Sequence, residues 1–464
     1  MKTGGRIREH AATVVVSAIS TAFASGLILL TGILTAALDP RLVEESGTFR
    51  ATLLVVSFIF VAIALYVGAI VTANTFATII AGRTRTIALL RLVGASSRRV
   101  RARVAGEGLL MGTLGAAIGF GIATALAAAV GAWGPGLGWL PEGRDYPILD
   151  PLAPLGAVVV ILTTWVAAWA GSRRVGRVSP VAATGAAIDA NAAEAAAKPA
   201  RTVWAIILLA FGAVLLALGL LLGMLMPLGI LVAFFGGLFS CTGIVLGAHL
   251  IVPPLLRLTA RLFTGSVTGR LAAANAERYP ERSARSTIGL VIGVTLVTMF
   301  AVALDSYRSM SLLAFANDPE LADRLNDTLA ITTAILTGLA AFSAVIAAVG
   351  VVNTLSLSVL QRTRELGLLR ALGCTGAQIR GMVLVESAQM ILAALGFGLL
   401  LGVFYGWIAA QSMLGSQSGW APPSVPWLAV AGVVVFGAVV ALIAAALPAR
   451  RATRVAPVVA LAVD

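Results

Sequence analysis

Residues 361–389, QRTRELGLLRALGCTGAQIRGMVLVESAQ, repeat residues 82–110, GRTRTIALLRLVGASSRRVRARVAGEGLL, without a gap. At a shift of 279 positions Arg83, Thr84, Arg85, Leu89, Leu90, Arg91, Gly94, Arg101, Val104 and Glu107 fall on Arg362, Thr363, Arg364, Leu368, Leu369, Arg370, Gly373, Arg380, Val383 and Glu386. Asn74 falls on Asn353 at the same shift. Identities at charged and glycine positions do not come from a bias toward apolar residues. The chain is therefore an internal duplication, and its fold must be laid out twice.

Each copy of the segment stands between long apolar runs. A bilayer-spanning helix needs about 20 mainly apolar residues. Runs that meet this fall at about 11–37, 51–82, 105–131, 152–171, 202–223, 229–252, 287–306, 328–360, 381–410 and 426–447. The fold class expected is an all-α polytopic membrane protein of ten transmembrane helices. Charged residues make up 11% of the 464 positions, against about 25% in soluble domains. The first run is long enough to span and no cleavage site follows it, so a cleavable signal peptide is not expected.

The net charge of +13 does not point to nucleic acid, because the basic residues sit in short clusters between the runs rather than on one face. With the N-terminus inside, 28 of the 33 Lys and Arg residues fall in inner segments. The outer loops hold only Arg41, Arg50, Arg144, Arg308 and Arg324. The positive-inside rule then places both termini in the cytoplasm. The outer loops, 38–50, 132–151, 307–327 and 411–425, are each too short for a domain of their own. Trp133, Trp139, Trp420 and Trp427 mark the outer surface, either as an aromatic belt or, at 132–151, as an interfacial lid.

The duplication divides the chain. Residues 1–180 form the first four-span repeat, and 181–201 an Ala-rich cytoplasmic linker. Residues 202–252 form a two-span insertion with no counterpart, and 253–464 the second four-span repeat with its amphipathic lead-in. The repeats end alike: Arg173, Arg174, Arg177 and Pro180 pair with Arg450, Arg451, Arg454 and Pro457.

Within the repeated segment, Arg364, Glu365, Leu368 and Leu369 continue the preceding helix and Gly373 breaks it. Thr375 can cap a short helix carrying Gln378, Ile379 and Arg380. A basic, partly apolar helix at the membrane surface suits docking on a partner protein. Topology and anionic headgroups account for the arginines equally well, but not for repeated glycine, glutamate and leucine positions.

RTRELGLLRALG followed by GAQIRGMVLVES resembles the signature of FtsX-like permeases, the membrane subunits of type VII ABC transporters (the MacB, LolC/LolE and BceB superfamily). GRLAAANAERYPERSARSTIGLVIGV, residues 269–294, is similar to that family's lead-in, with Asn275, Arg278, Pro280 and Arg282. The resemblance implies mechanotransmission in the cell membrane, most naturally the bacterial inner membrane. Two copies of a cytoplasmic ATPase close, the long second and eighth helices move, and the motion reaches the outer face. It makes 95–104 and 374–383 the cytoplasmic coupling helices. The docking set it implies is Arg83, Arg85, Arg91, Gly94, Arg98, Arg101 and Glu107 in the first copy. In the second it is Arg362, Arg364, Glu365, Arg370, Gly373, Thr375, Gln378, Arg380 and Glu386. Glu107 and Glu386 match the family's recurrent glutamate. Each fits either a moving part or a helix N-terminal acid held by the dipole and nearby arginines.

The chain departs from the family pattern at Thr86, which stands where Glu365 has its counterpart, and in lacking a large outer domain. An extracytoplasmic partner and lipid remain possible contacts. The chain is not expected to be an enzyme or to bind a cofactor or metal. Its two lysines, Lys2 and Lys198, lie in no phosphate-binding loop, so ATP and magnesium belong on the partner. The substrate class expected is amphipathic or lipid-like, such as a peptide antibiotic or a lipid. Two other classes stand beside this. One is an FtsX-like regulator transmitting force to an outer enzyme or sensor. The other is a secondary transporter, which the scarcity of ionisable residues within the spans disfavours.

Overall fold

The computed structural model describes residues 11–37, isolated positions between 58 and 90, 92–137, 141, 143–146, 150–172, 199–263, 265, 270, 280–314 and 372–452. Among these residues there are helices and no strands. Among the described residues, seven helices are long and apolar enough to cross a membrane. In lipid a helix satisfies all its own backbone groups, which is why runs of this length take that form. The expected second span, 51–82, is described only at isolated helical positions, and the eighth, 328–360, lies outside the described residues.

The chain divides into two compact units, Met1–Ala192 and Ala193–Asp464. The first contains α1 (Ala11–Ala37), α2 (Ser97–Trp133) and α3 (Ala153–Gly171), each packed on the other two. Leu29 and Ile33 of α1 meet Ala123 and Ala127 of α2 and Ala153 of α3 in a buried cluster. Small residues let the backbones approach. A Cβ on Gly115 would lie 2.5 Å from the Ser17 Cβ and 2.6 Å from the Val14 carbonyl, and one on Gly119 would fall on the Ala18 carbonyl. Hydroxyls join the same helices: Ser17 bonds Thr164 at 3.0 Å, and the Ser25 hydroxyl donates to the Ala153 carbonyl at 2.9 Å.

The second unit contains α4 (Pro199–Gly223), α5 (Gly229–Leu246), α6 (Ala248–Ala260), α7 (Pro280–Ala314), α8 (Gly376–Ser418) and α9 (Trp427–Ala452). α4 and α5 form a tight hairpin, and α7 lies along α8. The α7–α8 seam repeats the small-residue packing of α1 on α2. A Cβ on Gly398 would lie 2.8 Å from that of Val294, and one on Gly402 2.5 Å from that of Thr298. Gly119 and Gly398 are separated by the same 279 positions as the duplicated segments.

Two expectations are corrected. The sixth run, 229–252, is not one span. It breaks at Gly247 (φ −82°, ψ 4°), and α6 begins beyond it, with Ala248, Val252 and Leu256 buried one helical turn apart. The coupling segments are not separate short helices either. Residues 97–104 are the opening turns of the 37-residue α2, and 376–383 those of the 43-residue α8. At 1.5 Å per residue these helices run to about 55 and 65 Å, against a hydrocarbon thickness of about 30 Å. Each must project well beyond the apolar layer.

Candidate coupling turns

The first turn is closed by its own backbone. The Val93 amide donates to the Leu89 carbonyl at 3.1 Å and the Ala95 amide to the Leu90 carbonyl at 2.9 Å. Gly94 between them has φ +95°, a left-handed conformation that glycine takes without a Cβ clash. This is a Schellman ending, in which the amide beyond the glycine reaches back to an otherwise unsatisfied carbonyl. Ser96 then caps α2 with φ −69° and ψ 146°, accepting from the Arg99 amide at 3.3 Å.

The second turn repeats this conformation at the same shift. Gly373 has φ +99°. Thr375, with φ −72° and ψ 154°, caps α8 and accepts from the Gln378 amide at 3.2 Å. Gln378 returns the bond, its Oε1 accepting from the Thr375 amide at 2.8 Å. That reciprocal capping box, expected in part from Thr375 alone, has no counterpart in the first turn, where Arg99 occupies the third helical position. Val100 and Ile379, again equivalent, are buried and hold each opening turn on its unit.

The remaining docking residues divide. Arg98 and Arg380 are exposed, and the Arg380 Nε donates to the Gly376 carbonyl at 3.2 Å. Arg101 is half-buried, its guanidinium 4.8 Å from the ring centroid of Trp169 at the end of α3. That cation–π contact ties α2 to its neighbour. Glu107 pairs with Arg103 at 3.7 Å, one turn earlier on α2. Glu386 is buried at 3% exposure. Both glutamates are the eleventh residue of their helix, beyond the first turn where a helix dipole acts, so the dipole reading of them does not hold. Arg83, Arg85, Arg91, Arg362, Arg364, Glu365 and Arg370 lie outside the described residues.

Other features were not anticipated from sequence. Gln389 is fully buried, and the Thr259 hydroxyl of α6 donates to its carbonyl at 3.2 Å. At the far end of α8, Gln411 is fully buried. Its amide nitrogen donates to the Gly419 carbonyl at 2.7 Å, and its oxygen accepts from the Ala421 amide at 3.2 Å. Asp305 accepts from the Ser424 hydroxyl at 2.5 Å, so residues 419–426 are fixed to both α7 and α8. Two polar glutamines inside an apolar run were the available signal. His249 bonds Thr202 at 3.1 Å and the Leu246 carbonyl at 3.0 Å, as a packed histidine does.

The FtsX-like permease C-terminal family matches the chain twice, over residues 56–180 and 337–457, together just over half its length. The chain belongs to the FtsX-like permease family. Each matched region of this permease contains one of the two turns. Among its relatives, the ABC transporter permease YknZ of Bacillus subtilis is 34% identical over 157 residues, 34% of this chain and 36% of that protein. An ABC transporter permease of Methanocaldococcus jannaschii is 30% identical over 143 residues, covering 30% and 35%. The macrolide export ATP-binding/permease protein MacB of Nitrobacter winogradskyi is 35% identical over 130 residues, covering 28% and 19%. The chain thus spans about a third or less of the length of these relatives. The family and the apolar helices make the chain a multi-pass membrane protein.

Proposed function

We propose that this chain is the permease subunit of an ATP-driven ABC transporter and that the turns at Gly94 and Gly373 receive its ATPase subunits, one at each. The observation that carries the proposal is the twin geometry. One αL glycine and one Ser or Thr cap recur 279 positions apart, each opening a helix far longer than the bilayer is thick. A rigid helix of that length carries a displacement at its capped end across the membrane without a central pore. Motion applied at Ser96 or Thr375 acts on the Gly115–Gly119 and Gly398–Gly402 seams in turn.

In this reading the turns face the cytoplasm, as the basic clusters around them require, and ATP and magnesium are bound by the partner. The ten-span plan of two four-span repeats around a two-span insertion belongs to the same reading. An amphipathic or lipid-like molecule suits the exported or extracted substrate, since the spans present apolar surface and scarcely an ionisable group. The test is reconstitution of the purified permease in lipid, alone and with an ABC ATPase from the same organism. Hydrolysis is expected only with both present. ATP hydrolysis by the permease alone, or no association between the two, refutes the assignment.

A further inference from the structure

In the first unit a cavity lies between α1, α3 and the second span, lined by the hydroxyls of Ser17, Ser20, Thr72, Thr163 and Thr164. About 10 Å³ of it is open to the centre of a water molecule, close to the smallest space that holds one. Ser17, Ser20 and Thr72 are at most 2% exposed. Ser17 and Thr164 bond each other at 3.0 Å, and a bonded pair of hydroxyls keeps one proton and further lone pairs unspent. Thr163 donates its proton to the Val159 and Val160 carbonyls of its own helix. The Ser20 oxygen has no hydrogen-bond partner. A buried polar atom in that state, beside a cavity of this size, is how a water site presents itself.

The occupant that fits is neutral. Residues 11–37, 51–82 and 153–171 contain no Asp, Glu, Lys, Arg or His. An ion stripped of its water needs a countercharge, and none of the three elements supplies one. A water is donor and acceptor at once, as the hydroxyls around it are.

The duplication gives an independent reason to read these hydroxyls as a set. A Cβ on Gly119 would fall on the Ala18 carbonyl, and one on its equivalent Gly398 would lie 3.1 Å from the Val291 carbonyl. α7 therefore follows α1 at a shift of 273 positions. The second and eighth spans keep the shift of 279 marked by Asn74 and Asn353, and α3 and α9 the shift of 277 marked by Arg173 and Arg450. The five cavity positions become Leu290, Gly293, Val351, Val440 and Ala441 in the second repeat. Every hydroxyl is absent there, as expected if all five serve one bound molecule that only the first repeat holds.

We propose that this cavity binds one water molecule, held by Ser20, the Ser17–Thr164 pair and Thr72, and that the water joins the second span to α1 and α3. Where α1 meets α2, the backbones interlock at Gly115 and Gly119. A bridging water instead changes partners as its neighbours move, so the seam with the second span yields where the glycine seam does not. The site itself is independent of the transporter reading; only its use by a moving second span rests on the function proposed above.

The test takes the full-length permease in lipid nanodiscs, imaged at a resolution that shows ordered water. Density is expected about 2.7–2.8 Å from the Ser20 oxygen, and it should persist when sodium and potassium are exchanged for choline. Density lost on that exchange marks a cation and overturns the water. No density, where other buried waters are seen, overturns the site. Ser17→Leu, Thr72→Val, Thr163→Val and Thr164→Ala together copy the second repeat and should abolish the density, as should Ser20→Ala alone if the fourfold variant does not fold. Density kept in Ser20→Ala overturns the assignment of its ligands. Unfolding equilibria in bicelles test the join. Ser20→Ala and Thr72→Val remove groups with no direct bond between them, yet their effects should depart from additivity by at least about threefold, as coupled groups do. Additive effects overturn the link to the second span. None of these measurements involves ATP, so their failure is distinct from failure of the transporter assignment.

Discussion

Replacing Gly373 by alanine separates the backbone conformation of the second turn from every packing effect. A Cβ at Gly373 would have no atom within 4 Å, and the same holds at Gly376, three residues on. Only the conformations differ. Gly373 has φ +99°, whereas Gly376 is the first residue of α8. An L-residue in the left-handed region costs about 1–2 kcal/mol. In a helical position alanine is instead favoured over glycine by about 0.5–1 kcal/mol. Gly373→Ala and Gly376→Ala should thus change stability in opposite directions and differ by about 2 kcal/mol, roughly thirtyfold in the local opening equilibrium. Hydrogen exchange of amides 374–380 in lipid nanodiscs reads that opening directly. Gly94→Ala should open the first turn in the same way, because its φ is +95° and its Cβ is equally unobstructed. Equal exchange in Gly373→Ala and Gly376→Ala would refute the claim that a left-handed glycine shapes the turn.

Thr375→Ala removes the hydroxyl half of the capping box, two bonds of the Thr375 Oγ1 to Gln378, while leaving the 375 amide to donate to the Gln378 Oε1, and should cost about 1 kcal/mol at the start of α8; Ser96→Ala, which removes one 3.3 Å bond, should cost less, with exchange at 376–380 and 97–101 as the measure. Gly402→Leu should lower the unfolding midpoint in detergent. Its Cβ alone would sit 2.5 Å from that of Thr298, where carbon atoms normally keep about 3.5–4.0 Å, and overpacking costs about 1–3 kcal/mol. Gly396→Leu, whose Cβ meets nothing within 4 Å, should leave the midpoint unchanged. Gln411→Leu strips the Gly419 carbonyl and the Ala421 amide of their partner, and buried groups so left cost about 1–3 kcal/mol. Exchange at Ala421 should rise at least tenfold; an unchanged rate would mean that the loop is held elsewhere.

Most of what was legible in the sequence was legible because it is local or repeated. Thr375 and Gly373 declare a cap and a left-handed turn within five residues; the cap and the left-handed glycine occur as read, while the helix expected before Gly373 lies outside the described residues. Apolar runs declare spans, and where described they are helical. The readings that failed concern how far an element continues. Nothing in ten residues says that a helix opening at Gly376 persists to Ser418, because the glycines inside it, from Gly381 to Gly415, do not break it before Gly419 at φ +70° does, and polar residues such as Gln389 and Gln411 are absorbed in its buried face. The break at Gly247 is equally hidden: Gly243, four residues earlier, sits within a helix in the same composition. Both glycines face Ala205 of α4, Gly243 more closely, so nothing local to either marks which one breaks the helix. The pairs Gly115/Gly119 and Gly398/Gly402 could not be told from chance among 49 glycines until the backbones they face were known.

What the duplication kept and what it let go follow one division along the helices. The αL glycine, the cap, the buried Val100 or Ile379 and the close contacts of Gly119 or Gly398 recur in both units, the first two just before α2 and α8 and the others in the first two-thirds of these helices. The far ends do not correspond. In the first unit the Arg144 guanidinium donates to the carbonyl of Ala36 at 3.0 Å, tying the loop after α2 to the end of α1. In the second, Gln411, Asp305 and Ser306 hold residues 419–426 through a different set of bonds, with Trp407 donating to the Ala421 carbonyl at 2.9 Å and packing edge-on against Trp420. On the function proposed above, a partner present in two like copies would constrain the ends it grips to stay alike, and the opposite ends, meeting a substrate or an outer surface with no such symmetry, would be free to differ. The place where the two halves stop resembling each other is therefore where the search for substrate contacts should begin, at the loops after α2 and α8 rather than along the seams.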